Sequence, residues 1–200
     1  TMPAHQNSWL FTPAELRHTP SILSGMPPRE ERERRAKGIH FILQVGIALK
    51  VPQLTISTAA VFLHRFYMRQ KMQVHHHYEI AATSLFLATK VEENMKKYDH
   101  LITEVIRVAQ KNPKMPPVDR HSGDFWRWSD VIQEKEELML EALCFDLHVP
   151  KSYDFLLAFT KTLDVETKEV LRSAWSFLND SYMSLVCLVY RAEAIAAGAL

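Results

Sequence analysis

Glycine is scarce in this chain, five residues in two hundred. A many-stranded β protein needs punctuation at each turn, so the long glycine-free stretches favour helix. Cysteine is scarcer still, with only Cys144 and Cys187. Both fall in apolar helical patterns and read as reduced, buried residues of an intracellular protein, not as a disulfide framework. Neither sign of charge dominates. The 24 basic and 23 acidic residues leave a net charge of +1, which gives no electrostatic footing for nucleic acid or for an anionic membrane. No apolar run reaches the roughly 18 residues of a membrane span. The opening TMPAHQNSWLFTP lacks the basic start and apolar stretch of a signal peptide. A soluble, intracellular protein is the expectation.

The signatures of catalysis are missing too. There is no Gly-rich phosphate loop, His-Glu-x-x-His or Cys-x-x-Cys, and no Gly-x-Ser-x-Gly elbow. An enzyme is not expected, and neither is a cofactor. His75, His76 and His77 are consecutive, so they cannot converge on one helix face. They read as a polar interhelical loop and not as a metal site. His64, inside the apolar run FLHRFYM, reads as a hydrogen-bonded core histidine.

What is present is helical periodicity. Residues 1–28 hold five of the ten prolines and read as an arm with one short helix at 13–18. Thr12 is its N-cap, Pro13 its first residue, and Glu15 sits at its positive end. Trp9, Leu10 and Phe11 would anchor the arm. Helices follow at 29–50, 53–72, 78–93 and 98–110. The charged start of the first, REERERRAK, reads as a solvated face. Residues 111–128, with three prolines and no periodicity, read as a long loop carrying Phe125, Trp126 and Trp128. A fifth helix is expected at 129–143, with Ser129 as N-cap and Asp130 at its positive end. Pro150 marks a boundary, and further helices are expected at 152–163, at 166–188 and from 192. The expected division is an arm at 1–28, one domain at 29–149 and a second at 150–200.

An internal echo supports a duplication. Phe62-Leu63, Tyr67-Met68 and Ile80-Ala81-Ala82 recur as Phe177-Leu178, Tyr182-Met183 and Ile195-Ala196-Ala197, each 115 positions later. The simple reading is a repeated all-helical unit whose second copy is incomplete.

One constellation suggests recognition. Leu87, Lys90 and Val91 are spaced i, i+3, i+4 and share a helix face. Glu136, Leu140, Leu143 and Leu147 form a similar stripe. Side by side, the two would frame an apolar groove with a cation and a carboxylate at its rim, suited to an incoming helix. Spacing alone favours the plainer reading, internal leucines and two solvated charges.

The segments SWLFTPAELRHTPS, QLTISTAAVFLHRFYM, LFLATKVEE, LMLEALCFDL and SYDFLL, in this order over nearly the whole chain, resemble the cyclins, specifically transcriptional cyclins of the K and T kind. The resemblance implies an all-α fold of two five-helix cyclin boxes, the second incomplete here, and no catalysis by this chain. It implies a cyclin-dependent kinase catalytic subunit as partner and a nuclear location. By resemblance the complex phosphorylates the C-terminal repeat domain of RNA polymerase II. The family's kinase-contacting lysine and glutamate match Lys90 and Glu136, and its pocket for an apolar kinase side chain matches Leu87, Val91, Leu140 and Leu147.

Two departures stand out. Cell-cycle cyclins carry Met-Arg-Ala-Ile-Leu where this chain has Arg34-Arg35-Ala36-Lys37-Gly38, so docking of Arg-x-Leu substrates is not expected. They also pair the arginine matched by Arg35 with an aspartate where this chain has His64, which puts that buried ion pair in doubt. The aromatic 111–128 segment leaves room for a further protein partner. The rival reading is a transcription factor IIB-like DNA-binding protein, which shares the duplicated fold. The near-neutral charge argues against it.

Overall fold

A computed structural model describes residues 9–200, so residues 1–8 of the expected arm lie outside the described region. The described residues hold helices and no strand. Five helices, α2 (Pro28–Ala48), α3 (Gln53–Phe66), α4 (His77–Val91), α5 (Tyr98–Ala109) and α6 (Gly123–Ala142), form the larger unit. At its centre is α3, in which every residue from Thr55 to Phe66 is buried. A helix apolar on all sides has to be surrounded. Here α2 and α4 flank it, α6 packs on α4, and α5 bridges α2 and α6.

Two glycines explain how closely α2 lies on α3. A Cβ at Gly38 would stand 2.8 Å from Leu63 Cδ1, and one at Gly46 would stand 2.7 Å from Ile56 Cγ1. Glycine inside a helix costs about 1 kcal/mol relative to alanine, and the close approach offsets it.

The unit is locked by a buried charge. Arg35 and Glu31, one turn apart on α2, keep only 2% and 4% of their side chains exposed. Glu31 Oε1 accepts from Arg35 Nε at 2.9 Å and Nη2 at 2.7 Å. Arg35 also donates to the carbonyls of His64 (2.9 Å) and Tyr67 (3.1 Å), at the C-terminal end of α3. Last-turn carbonyls have no partner within their own helix, and a guanidinium supplies both bonds and a charge suited to the helix's negative end. Glu31 Oε2 in turn accepts from Thr19, at 2.6 Å. The doubted arginine therefore does have a buried counterion, but it comes from its own helix. His64 stays neutral. Burial, together with the Arg35 charge beside it, pushes its imidazole down to about 3.

Three helix ends fall elsewhere than the sequence predicts. The second helix stops at Phe66, not 72, because Arg35 takes the carbonyls there and the chain turns, with Tyr67 Oη donating to the His75 carbonyl at 2.9 Å. The helix predicted from Ser129 begins at Gly123. Ser122 is its N-cap and accepts from the Phe125 amide at 3.2 Å, whereas Ser129 is buried mid-helix. Phe125 enters the core, Trp128 stacks at 6.4 Å from Phe41, and only Trp126 stays largely exposed. The long loop is thus shorter than expected and two of its aromatics belong to the domain. The helix predicted to 188 ends at Ser181 and resumes briefly as α9 (Val186–Val189), because the Tyr182 carbonyl turns aside to bond His64 Nε2 at 2.8 Å.

The remaining helices, α7 (Ser152–Thr162), α8 (Lys168–Ser181), α9 (Val186–Val189) and α10 (Ala192–Gly198), pack mainly on one another, with α9 touching α3. The echoed residues fall at matching places. Tyr67 and Tyr182 are the C-caps of α3 and α8, and Leu63, Leu178, Ala81 and Ala196 are wholly buried. Phe62 is buried but Phe177 is 50% exposed.

The arm holds a 3-10 turn, Glu15–Arg17, and α1 (Pro20–Leu23) in place of one helix at 13–18. Thr12 and Glu15 do cap each other: the Thr12 amide donates to the Glu15 carboxylate (2.7 Å), and the Glu15 amide donates to Thr12 Oγ1 (3.2 Å). Trp9 anchors the arm, donating from its indole to Asp146 at 3.1 Å under the guanidinium groups of Arg65 and Arg69. The cysteines depart from expectation: Cys144 is exposed and Cys187 half-buried, both as free thiols. No described helix is long and apolar enough to cross a membrane.

Removing the Glu31 charge should leave Arg35 buried and unpaired. Glu31→Gln is expected to lower the unfolding free energy by about 3 kcal/mol, measured by urea denaturation; a loss below about 1 kcal/mol would refute the role given to the pair.

Acid should also weaken the fold. An unfolded histidine takes up its proton near pH 6.5, His64 in the fold only near pH 3. In that window the unfolded chain binds the extra proton, so stability rises with pH. The contribution is complete above about pH 6.5 and is lost as pH falls towards 3, roughly 2 kcal/mol having gone by pH 5. His77, pushed down to about 4 by burial, acts in the same direction. Thermal melts from pH 7 to 4 should show a steep fall in Tm, and His64→Gln should flatten it.

Candidate functional site

The helix α4 ends in the sequence Ala88-Thr89-Lys90-Val91. Glu93 adopts a left-handed backbone (φ 55°), and the Asn94 amide closes back on the Thr89 carbonyl at 2.8 Å. Lys90 therefore stands in the last turn, where the helix dipole favours a cation. Its Nζ donates to both carboxylate oxygens of Glu136 on α6, at 2.8 and 2.9 Å. The ammonium also lies 4.3 Å from the centre of the Phe86 ring, one turn back on α4. Phe86 meets Tyr98 edge to face at 5.4 Å, and Tyr98 Oη donates to the Ser129 carbonyl at 3.2 Å. The lysine is thus positioned by a chain of contacts reaching α5 and α6.

The pair is accessible. Lys90 keeps 37% of its side-chain surface and Glu136 keeps 19%. A pair this open adds less than about 1 kcal/mol to stability. The apolar residues divide by depth. Val91, Leu140 and Leu147 are half-buried and packed on the core, while Leu87 (3%) and Leu143 (0%) lie inside it. Val91 and Leu147 border a cleft of about 610 Å³, whose walls also include Phe155 of α7 and Arg65 of α3. Leu87, Leu140 and the ion pair lie outside that lining. Helices α4 and α6 do pack side by side, which sets Lys90 against Glu136 with half-buried apolar side chains alongside.

Sequence reading missed two contributors. Phe86 lies four residues before Lys90, and that spacing could have revealed it. Glu92, of the Lys-x-Glu-Glu segment, accepts from Thr58 Oγ1 at 2.7 Å and is ion-paired with Lys151, whose Nζ also donates to Thr58 Oγ1 at 2.5 Å. No local pattern announces Lys151, since it lies 59 positions away. This three-way contact ties the end of α4 to α3 and to the entry into α7.

Comparison with known proteins gives the family. Residues 9–148 match the family described as Cyclin, N-terminal domain. The chain is 43% identical over 199 residues to Cyclin pch1 of Schizosaccharomyces pombe, covering 98% of this chain and 58% of that protein. It is 37% identical over 202 residues to Cyclin-T1-2 of Oryza sativa subsp. japonica, covering 98% of this chain and 31% of that one. To human Cyclin-K the identity is 32% over 195 residues, covering 94% of this chain and 32% of the relative. The chain thus spans between about a third and somewhat over half of these relatives. The fold is shared with a chain in the crystal structure of the yeast RNA Pol II CTD kinase CTDK-1 complex, at a TM-score of 0.80 and 18% identity over 96% of this chain and 61% of that one. A chain of the yeast TFIIK (Kin28/Ccl1/Tfb3) complex gives 0.73 and 17%, over 99% and 83%. With a family match over most of its length and relatives of the K and T kinds, the chain belongs to the cyclin family.

Proposed function

We propose that this chain is the regulatory subunit of a transcriptional cyclin-dependent kinase, acting in the nucleus on the C-terminal repeat domain of RNA polymerase II. The observation that carries the proposal is the bidentate Lys90–Glu136 pair, accessible to solvent where α4 packs on α6 in a cyclin fold. The likeness to K and T cyclins, and to a chain of a CTD kinase complex, supports the substrate class.

The mechanism is a shift of population. A kinase with active and inactive placements of its regulatory helix moves towards whichever state binds better. In this reading Lys90 and Glu136 hydrogen-bond backbone groups beside that helix, and Val91, Leu140 and Leu147 receive one of its apolar side chains, with Leu87 as backing. Helix-in-groove docking of this kind takes affinity from the apolar anchor and register from the charges. We also propose that 150–200 begin a second cyclin box, since the echoed residues recur at matching helix positions, and that only the first box carries the kinase-binding pair.

Because the pair contributes little to folding, its loss should be read out in binding. Lys90→Ala and Glu136→Ala are each expected to weaken association with the kinase at least tenfold and to lower phosphorylation of a polymerase repeat peptide in step, with thermal unfolding within a few degrees of wild type. Normal kinase binding and activation by both variants would overturn the assignment.

A further inference from the structure

The arm holds two Thr-Pro pairs, Thr12-Pro13 and Thr19-Pro20, and the chain has no Ser-Pro. Proline has no N–H and a fixed φ, and it biases the residue before it towards an extended backbone. A proline-directed serine/threonine kinase reads that combination, because its pocket leaves the N–H of any other residue without a partner. The two pairs are alike in sequence and opposite in structure.

Thr19 is closed to such a kinase. It is only 1% exposed. As the N-cap of α1 it accepts from the Ile22 amide at 3.4 Å, and it donates to Glu31 Oε2 at 2.6 Å. Drawing its hydroxyl into an active site would break into the buried Glu31–Arg35 pair. Thr12 is open. Thr12, Pro13 and Ala14 are all exposed and lie outside any helix. The Thr12 amide and hydroxyl both donate to Glu15 Oε2, at 2.7 and 2.8 Å, and the hydroxyl accepts from the Glu15 amide at 3.2 Å. Bonds this exposed open at little cost, so an incoming kinase has one solvent-facing clasp to undo.

We propose that Thr12 is a phosphorylation site for a proline-directed serine/threonine kinase, and that the phosphate opens the Thr12–Glu15 clasp of the arm. In the transfer the γ-phosphoryl group of ATP passes to Thr12 Oγ1, ADP leaves, and the hydroxyl proton goes to the kinase's own base. The phosphothreonine has no O–H left to give Glu15 and carries a charge of about −1.5 to −2 at neutral pH. It stands against a carboxylate that the Thr12 amide and hydroxyl hold below the usual range, and which is therefore ionised. Like charges at hydrogen-bond distance repel, and the three-residue turn Glu15–Arg17 has little dipole to offset them. The effect reaches further than the turn. The neighbouring Phe11 amide donates to the Leu188 carbonyl of α9 at 2.7 Å, so the clasp adjoins the seam where the arm meets the smaller group of helices. Neither Thr12 nor Glu15 belongs to the Lys90–Glu136 face, and the two readings stand or fall separately.

The test begins with the wild-type chain, Mg-ATP and a purified mitogen-activated protein kinase as the proline-directed probe. Tandem mass spectrometry should find a single phosphoryl group, on Thr12, and none on Thr19. Thr12→Ala should abolish incorporation, and Pro13→Ala should slow it at least tenfold, since the N–H it restores goes unpaired. No incorporation into the folded chain, incorporation that survives Thr12→Ala, or equal modification of Thr19 would overturn the site. Amide hydrogen exchange then compares the phosphorylated and unmodified chains. The amides of Phe11, Thr12 and Glu15 should exchange at least fivefold faster after phosphorylation, with those of α3 unchanged. Unchanged or slower exchange at those three amides would overturn the opening of the clasp.

Discussion

The buried guanidinium of Arg35 is the constraint on which the five-helix unit depends. A charge in that position costs several kcal/mol unless paired and fully hydrogen-bonded. The chain meets the demand with Glu31 from the same helix and with carbonyls that α3 would otherwise leave unbonded. One group thereby fixes the rotation of α2, the stopping point of α3 and, through Glu31 and Thr19, the place where the arm begins its first helix. An aspartate at position 64 would have added a negative charge beside a pair already balanced. Neutral His64 instead spends its Nε2 on the Tyr182 carbonyl, so the element that frees Arg35 from a cross-helix counterion also tethers α8 to the larger unit.

At the candidate site, the accessible charges and the buried leucines play separate parts. Lys90 and Glu136 satisfy one another while remaining accessible, so they avoid the desolvation of a buried pair. The leucines beneath them do the opposite. Leu87 and Leu143 are buried in the core, where they contribute to stability by leaving water.

Much of this was readable without coordinates. Helical period and proline positions placed the starts of α3, α4, α5 and α7 within a residue, because local propensity and tertiary packing agree there. Two stripes of like spacing set Lys90 and Glu136 at the rim of one groove, but the spacing leans towards solvated charges, and it is the cyclin resemblance that singles the two out. The failures share one cause: a distant group took a backbone carbonyl, or buried a side chain, that local pattern assigned elsewhere. Arg35 ended α3 early and His64 turned the chain at Tyr182. Phe125 and Trp128, counted with the prolines of a loop, instead extended α6 by almost two turns through core contacts with no local signal beyond Ser122 and Asp124. The cysteines misled for a related reason. Cys144 takes a left-handed backbone just past α6 (φ 53°), so the apolar pattern it sat in had already ended.

The contact among Glu92, Thr58 and Lys151 has a kinetic meaning as well. It fastens the end of α4 at two points, to Thr58 of α3 and to Lys151 at the entry into α7, so the turn that carries Lys90 is held in place by the chain itself. Ordering a loose helix end would be charged against every encounter. A face that is already ordered commits its contacts at first touch, and its complexes should be distinguished less by how fast they form than by how slowly they come apart.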